Sequence, residues 1–238
     1  MSEKQIRLAI GVLGALGVAT VIVLHWMVFF WVPTEATMGI VQRIFYIHVP
    51  AWWIAFLGFG IVALCSAAYL WLGDERLDRA AVAGAEAGMI FTTIGLLTGP
   101  LWGRVAWGTW WEWEPRLTLA LILWFIYLGY FIVRRTAVNP EQGKRFAAVV
   151  GVIGVLDIPL IHVSVTWLRS LHPEAVILNR DGLAMDLDAS MGATISVGLL
   201  AFSLVFASLF LARYTVAGYE HELNLRDAAP GGIQRSEA

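Results

Sequence analysis

Residues 80–133 read AAVAGAEAGMIFTTIGLLTGPLWGRVAWGTWWEWEPRLTLALILWFIYLGYFIV: two apolar runs, 80–101 and 117–133, joined by a loop that holds five of the chain's twelve tryptophans. A hydrocarbon core roughly 30 Å thick takes about 20 apolar residues per helix, so each run is long enough to cross a bilayer and the loop lies at its surface. Runs of the same kind fall near 7–31 and 47–72 on one side and 146–163 and 190–213 on the other. The composition agrees. With 59% hydrophobic and 14% charged residues and a mean hydropathy of +0.72, the chain is too apolar for a soluble core of its size. The expected fold is an all-α integral membrane protein, one bundle of six transmembrane helices within residues 1–218. The polar stretch 219–238 has too few apolar residues to fold alone and is expected to be a disordered tail.

Lys and Arg counted by loop set the orientation. The N-terminus, second loop, fourth loop and tail carry eleven (Lys4, Arg7, Arg76, Arg79, Arg134, Arg135, Lys144, Arg145, Arg213, Arg226, Arg235), and the first, third and fifth loops carry five (Arg43, Arg104, Arg116, Arg169, Arg180). Both termini are therefore expected in the cytoplasm, with the tryptophan-rich third loop outside. The first run begins with Lys4 and Arg7 but is too long for a signal-peptide core and lacks a small-x-small cleavage site. It reads as a retained span.

Several function classes drop out. A net charge of −2 with no basic stripe gives nucleic acid no footprint. The lone Cys65, in mid-span, excludes an internal disulfide or a CxxC pair. No phosphate-binding glycine loop or nucleotide fingerprint occurs, so any energy input is expected from another protein.

Trp102, Trp107, Trp110, Trp111 and Trp113 fall within twelve residues, more than an interfacial aromatic belt needs. The excess asks for a large flat ligand. His48, in QRIFYIHVPAWW, and His172, in TWLRSLHPEA, lie on the first and fifth outer loops on the topology above. A haem matches these parts, because its disc is apolar, its iron takes an axial His on each side and its propionates seek cationic or polar partners. A short interfacial helix over 107–113 would put Trp107, Trp110 and Trp111 on one face at i, i+3 and i+4.

The stretch WGTWWEWEPRLT resembles the tryptophan-rich "WWD" signature of haem-handling proteins in cytochrome c maturation. With six spans and the flanking His48 and His172, residues 5–215 look most like the haem exporter protein C family. The resemblance implies that the signature (here Trp107, Gly108, Trp110, Trp111 and Trp113) and the two histidines, as axial ligands, hold haem b on the periplasmic side of the bacterial inner membrane. It also implies transfer to a membrane-anchored periplasmic haem chaperone, beside the ATPase and permease of an ABC transporter and a small single-span subunit. The chain itself would be a scaffold and not an enzyme. It departs from the signature at Glu114, where the family usually has Asp. Either acid would serve as a cap ahead of Pro115, whereas a direct contact with haem or partner would need slightly different geometry.

Arg116 and Arg104 flank the tryptophans and could meet propionates or lipid phosphates, which sequence does not distinguish. His162, near Asp157 and Pro159, reads as a group hydrogen-bonded between helices, although polar groups inside membranes are often functional. Glu86 sits between Gly84 and Gly88, whose GxxxG spacing suggests close helix packing. Two other classes remain open: an electron-transfer cytochrome using His25 with His162, and a transporter with a polar midplane cavity around Glu86 and Asp157.

Overall fold

Six helices long and apolar enough to cross a bilayer run Glu3–Trp31, Ile40–Leu72, Glu75–Ala106, Pro115–Thr136, Pro140–Trp167 and Ala189–Leu223. They are seen in a computed structural model that describes residues 2–168, 170–172, 178–179, 182–183 and 187–228. Each overlaps an apolar run of the sequence. Large side chains that face outward along them, such as Leu8, Ile22, Phe30, Leu64 and Trp71, are exposed, as expected of surfaces that meet lipid. The protein is an all-α, multi-pass membrane protein.

Helix α1 (Glu3–Trp26) opens on a capping box in which Ser2 accepts from the Gln5 amide and Gln5 from the Ser2 amide, satisfying two first-turn donors reciprocally. It continues through a π-helical turn, Met27–Trp31. A 3₁₀ segment, Ile40–Ile44, leads into α2 (Phe45–Leu72). Gly73, at φ 68°, closes α2 in the left-handed conformation, and Asp74 caps α3 (Glu75–Ala106) by accepting from the Arg76 amide. The Arg76 side chain holds the Asp74 carboxyl down at about 2. Beyond α4 (Pro115–Thr136), the fifth span is two helices, α5 (Pro140–Gly154) and α6 (Asp157–Trp167). Pro159 lacks an amide and its ring collides with the carbonyl four residues back, so the chain crosses the junction on three-residue bonds, Leu156 to the Ile153 carbonyl and Ile158 to that of Val155 (both 3.1 Å). Two-residue strands, β1 (Leu178–Asn179) and β2 (Gly182–Leu183), pair antiparallel in the fifth loop.

Helix α7 (Ala189–Ala228) runs past 218, so the stretch expected to be disordered is helical as far as Ala228. Contacts hold the extension: Tyr219 donates to Glu3 at 2.9 Å, Arg213 meets Glu220 at 3.1 Å, and His221 lies 3.8 Å from Glu75. Residues 229–238, with Arg235, fall outside the described residues, as do Arg169 and Arg180.

The core has two halves. One joins α1, α2, α3 and α7 around Leu24, Ile54, Phe91 and Ile195; the other joins α2 to α4, α5 and α6 around Phe59, Leu123, Tyr127 and Ile161. Helices α2 and α3 touch through glycines, and a Cβ on Gly58 would stand 3.0 Å from the Cα of Gly88. Close approach of this kind, which only small residues permit, is how helices associate in lipid, where the hydrophobic effect gives no net drive. Glu86 is ion-paired with Arg213 of α7 at 2.8 Å. At the same end as the termini, Arg134 donates to the buried Asp78 at 2.6 Å and Lys144 to Glu75 at 2.8 Å.

Candidate functional site

The opposite end, which carries the first, third and fifth loops, contains a cavity of about 480 Å³. Helix α5 packs on α2 and α4, whereas α6, beyond the break near Pro159, packs mainly on α4. The cavity beside α2 is lined by Trp52, Trp53 and Phe56 from α2, Gly95 and Gly99 from α3, Leu117 and Ala120 from α4, and Ile158, Ile161 and His162 from α6. His48, Trp102, Trp107, Trp111, Arg116 and His172 also line it.

His48 stands in the first turn of α2, where His48, Trp52 and Phe56 recur every fourth residue and so share one face. Its Nδ1 lies 2.9 Å from Thr98 Oγ1 on α3, and that hydroxyl donates its one proton to the Ile94 carbonyl at 2.8 Å. Nδ1 of His48 therefore donates to Thr98, and Nε2 keeps a free lone pair. His172 arrives from the fifth loop, its ring 6.5 Å from that of His48 between centroids and inclined by 27°. Trp102 and Trp107 meet its edges at 5.7 and 6.2 Å.

The third loop departs from its expected conformation. Residues 107–114 form a turn, bends and irregular chain, not an interfacial helix. Trp107 ends α3, and Gly108, at φ 80°, takes the left-handed position that follows a helix end. Arg104 donates to the Gly108 carbonyl, Thr109 donates to that of Trp111 at 3.0 Å, and a segment this short nucleates a helix poorly. The three-tryptophan face is consequently replaced by another set. Trp102, Trp107 and Trp111 line the cavity, whereas Trp110 and Trp113 are 58% and 75% exposed and Gly108 contributes only the turn. Glu114 is buried and caps α4, accepting from the Leu117 amide at 2.8 Å; its other oxygen accepts from Ser170.

Arg116 lines the cavity and Arg104 does not. Arg116 Nη1, Trp102 Nε1 and Trp111 Nε1 are buried donors without a partner among the described residues, an expensive state unless an acceptor is supplied. His162 faces the cavity, while His25 is exposed on α1, its Nδ1 2.8 Å from its own helix's Val21 carbonyl. The pair an intramembrane cytochrome would use is thus not brought together. Neither Glu86 nor Asp157 lines this cavity, and Glu86 is engaged with Arg213. Trp52, Trp53 and Phe56 were not anticipated as wall residues, although the fourfold spacing from His48 was visible for Trp52 and Phe56; His162 stood out in the sequence as a further possible iron ligand, with a hydrogen bond between helices preferred.

Among the described residues no three His, Cys, Asp or Glu side chains cluster to hold a bare metal ion. A metal whose macrocycle already supplies four nitrogens needs only two more ligands, a set that two neighbouring imidazoles would complete. The fold and cavity define a polytopic helical membrane protein with an aromatic, paired-histidine chamber at one end. A family model described as Heme exporter protein C matches residues 3–228, and the chain belongs to that family. It is 38% identical over 180 residues to Heme exporter protein C of Bradyrhizobium diazoefficiens, covering 76% of this chain and 68% of that one. It is 35% identical over 204 residues to the Escherichia coli K12 protein of the same name, covering 83% and 80%. It is also 34% identical over 182 residues to a ccmC-like mitochondrial protein of cytochrome c biosynthesis from Marchantia polymorpha, covering 76% and 72%.

Proposed function

We propose that the chain binds haem b at the outer face of the bacterial inner membrane, with His48 and His172 as axial ligands. It presents the haem to a membrane-anchored periplasmic chaperone for covalent attachment, in company with an ABC transporter's ATPase and permease and a small single-span subunit. The observation that carries the reading is the spacing of the two imidazoles. A metal held between two His nitrogens at about 2 Å each sets the ring centroids roughly 6 Å apart, and the rings here are 6.5 Å apart.

The wall chemistry supports the same cargo. Trp52, Trp107, Trp111 and Phe56 offer apolar faces to a flat disc. The unpartnered donors of Arg116, Trp102 and Trp111 suit its carboxylates. The Thr98 hydrogen bond fixes the His48 tautomer, so Nε2 is ready to ligate without a change of ring orientation. Exposed Trp110 and Trp113 leave an aromatic rim where a partner can approach. Retention through two side-chain ligands and apolar contact is tight yet releasable, as handing on a cargo requires.

The test is the absorption spectrum of purified, detergent-solubilised protein, oxidised and reduced, for wild type beside His48→Ala and His172→Ala. Altered haem bands in both variants are expected. Unchanged bands in both would remove the pair as ligands, and absence of haem from wild type even after coexpression with the transporter subunits and the chaperone would remove the capture reading.

A further inference from the structure

We infer that Glu114 and Ser170 form a bridge between the third and fifth outer loops that positions His172 over the cavity. The inference rests on the proposed ligand role of His172. His48 is carried by a helix, but His172 lies in the connection between α6 and α7, outside the two short strands that it contains. Two ligands can share one metal only if both are held.

The bridge adds a backbone constraint to the ring contacts that Trp102 and Trp107 make with His172. The Ser170 hydroxyl oxygen accepts from the backbone amide of His172 at 3.1 Å, a turn that sets the local path of the chain. The same hydroxyl donates its proton to Glu114 Oε2. An ionised carboxylate can only accept, so the hydroxyl proton is drawn to Glu114 and its lone pair is left for the His172 amide. Each bond polarises the other in one direction.

Glu114 is a fixed anchor. It is 8% exposed, its Oε1 accepts from the Leu117 amide at 2.8 Å, and the positive end of α4 favours its charge. Glutamate is not among the preferred N-cap residues, and Asp, Asn, Ser or Thr would satisfy the amide as well. The longer side chain has a second use here: while one oxygen caps the helix, the other reaches across to Ser170. One carboxylate thereby couples the loop that holds Trp107 and Trp111 to the loop that holds His172. Glu114 and Ser170 act through His172, as positioning residues.

The experiment compares Ser170→Ala, Ser170→Thr, Glu114→Gln and His172→Ala with wild type by two readouts. The first is amide hydrogen exchange of the peptide containing residues 168–172 in haem-free protein. Ser170→Ala is expected to exchange roughly tenfold faster there, the scale of losing one hydrogen bond, with Ser170→Thr restoring the wild-type rate and peptides of α2 and α3 unchanged. The second is the spectrum after haem loading. Ser170→Ala and Glu114→Gln are expected to show a fraction of haem with one protein ligand, which added imidazole returns to the wild-type bands. Unchanged exchange in Ser170→Ala overturns the bridge. Faster exchange with a wild-type spectrum, while His172→Ala differs, overturns its positioning role. If His172→Ala itself keeps the wild-type spectrum, the ligand reading fails and the positioning role with it, while the exchange data still report whether the loops are joined.

Discussion

Gly95 of α3 faces Trp52 of α2 so closely that an added Cβ would stand 2.6 Å from the indole Cε2 and Nε1. In Gly95→Ala the ring has to retreat by about 0.8 Å to reach ordinary contact distance, and it forms part of the cavity wall. Trp52 meets His48 edge-on at 6.3 Å and Phe56 at 5.6 Å, so the displacement is passed to the cavity wall and to a proposed ligand. Overpacking of this kind costs about 1–3 kcal/mol. If the loaded state bears that cost, haem binding weakens by roughly 5- to 150-fold; if both states bear it, the melting temperature falls instead. Gly129→Ala is the control, because nothing lies within 4 Å of its added Cβ and it is not part of the cavity wall. The assay is haem per protein from absorbance, with thermal unfolding in detergent, for both variants beside wild type. Wild-type haem content together with a wild-type melting temperature in Gly95→Ala would refute the steric argument.

Three further outcomes are expected. Thr98→Val keeps the side-chain volume but removes the acceptor for His48 Nδ1, so haem titration should show about 10–100-fold weaker binding, the usual effect of losing an outer-shell partner. Trp111→Ala should lower haem content, whereas Trp110→Ala, which removes an exposed ring, should leave it near wild type; equal losses in the purified proteins would contradict the assignment of the wall. Asp78→Ala leaves Arg134, itself only 21% exposed at the side chain, without its partner and should destabilise the protein by about 3–5 kcal/mol, read as a fall in melting temperature, while the haem bands of the protein that remains folded are unchanged.

Much of the fold was legible because membrane insertion imposes a length and a composition on each span. All six spans could be read, and Gly84 with Gly88 marked the close contact of α3 with α2. The division of the fifth span was harder to read, although Pro159 was in plain view, because proline within a membrane helix is tolerated where neighbours satisfy the freed groups. The fate of Glu86 was not legible at all, since its partner Arg213 is remote in sequence and meets it only through the packing of α3 on α7. In the candidate site, His48, His172, Trp107, Trp111 and Arg116 stood out as chemically costly groups near the outer surface. Trp110 and Trp113 stood out equally, and the structure turns them away from the cavity.

The sequence by itself determined the solvent, the number of spans and the end of the bundle where chemistry gathers, because hydrophobic length and residue type are local properties that survive any packing arrangement. Tertiary structure decided which faces meet. The turn at Gly108 sends alternate tryptophans inward and outward, Pro159 and α6 form part of the wall of a chamber beside α2, and Thr98 selects the His48 tautomer. Glu114 and Ser170, 56 residues apart, bring His172 to its place. Each of these depends on atoms from separate segments reaching hydrogen-bond or contact distance, a condition that no local pattern encodes.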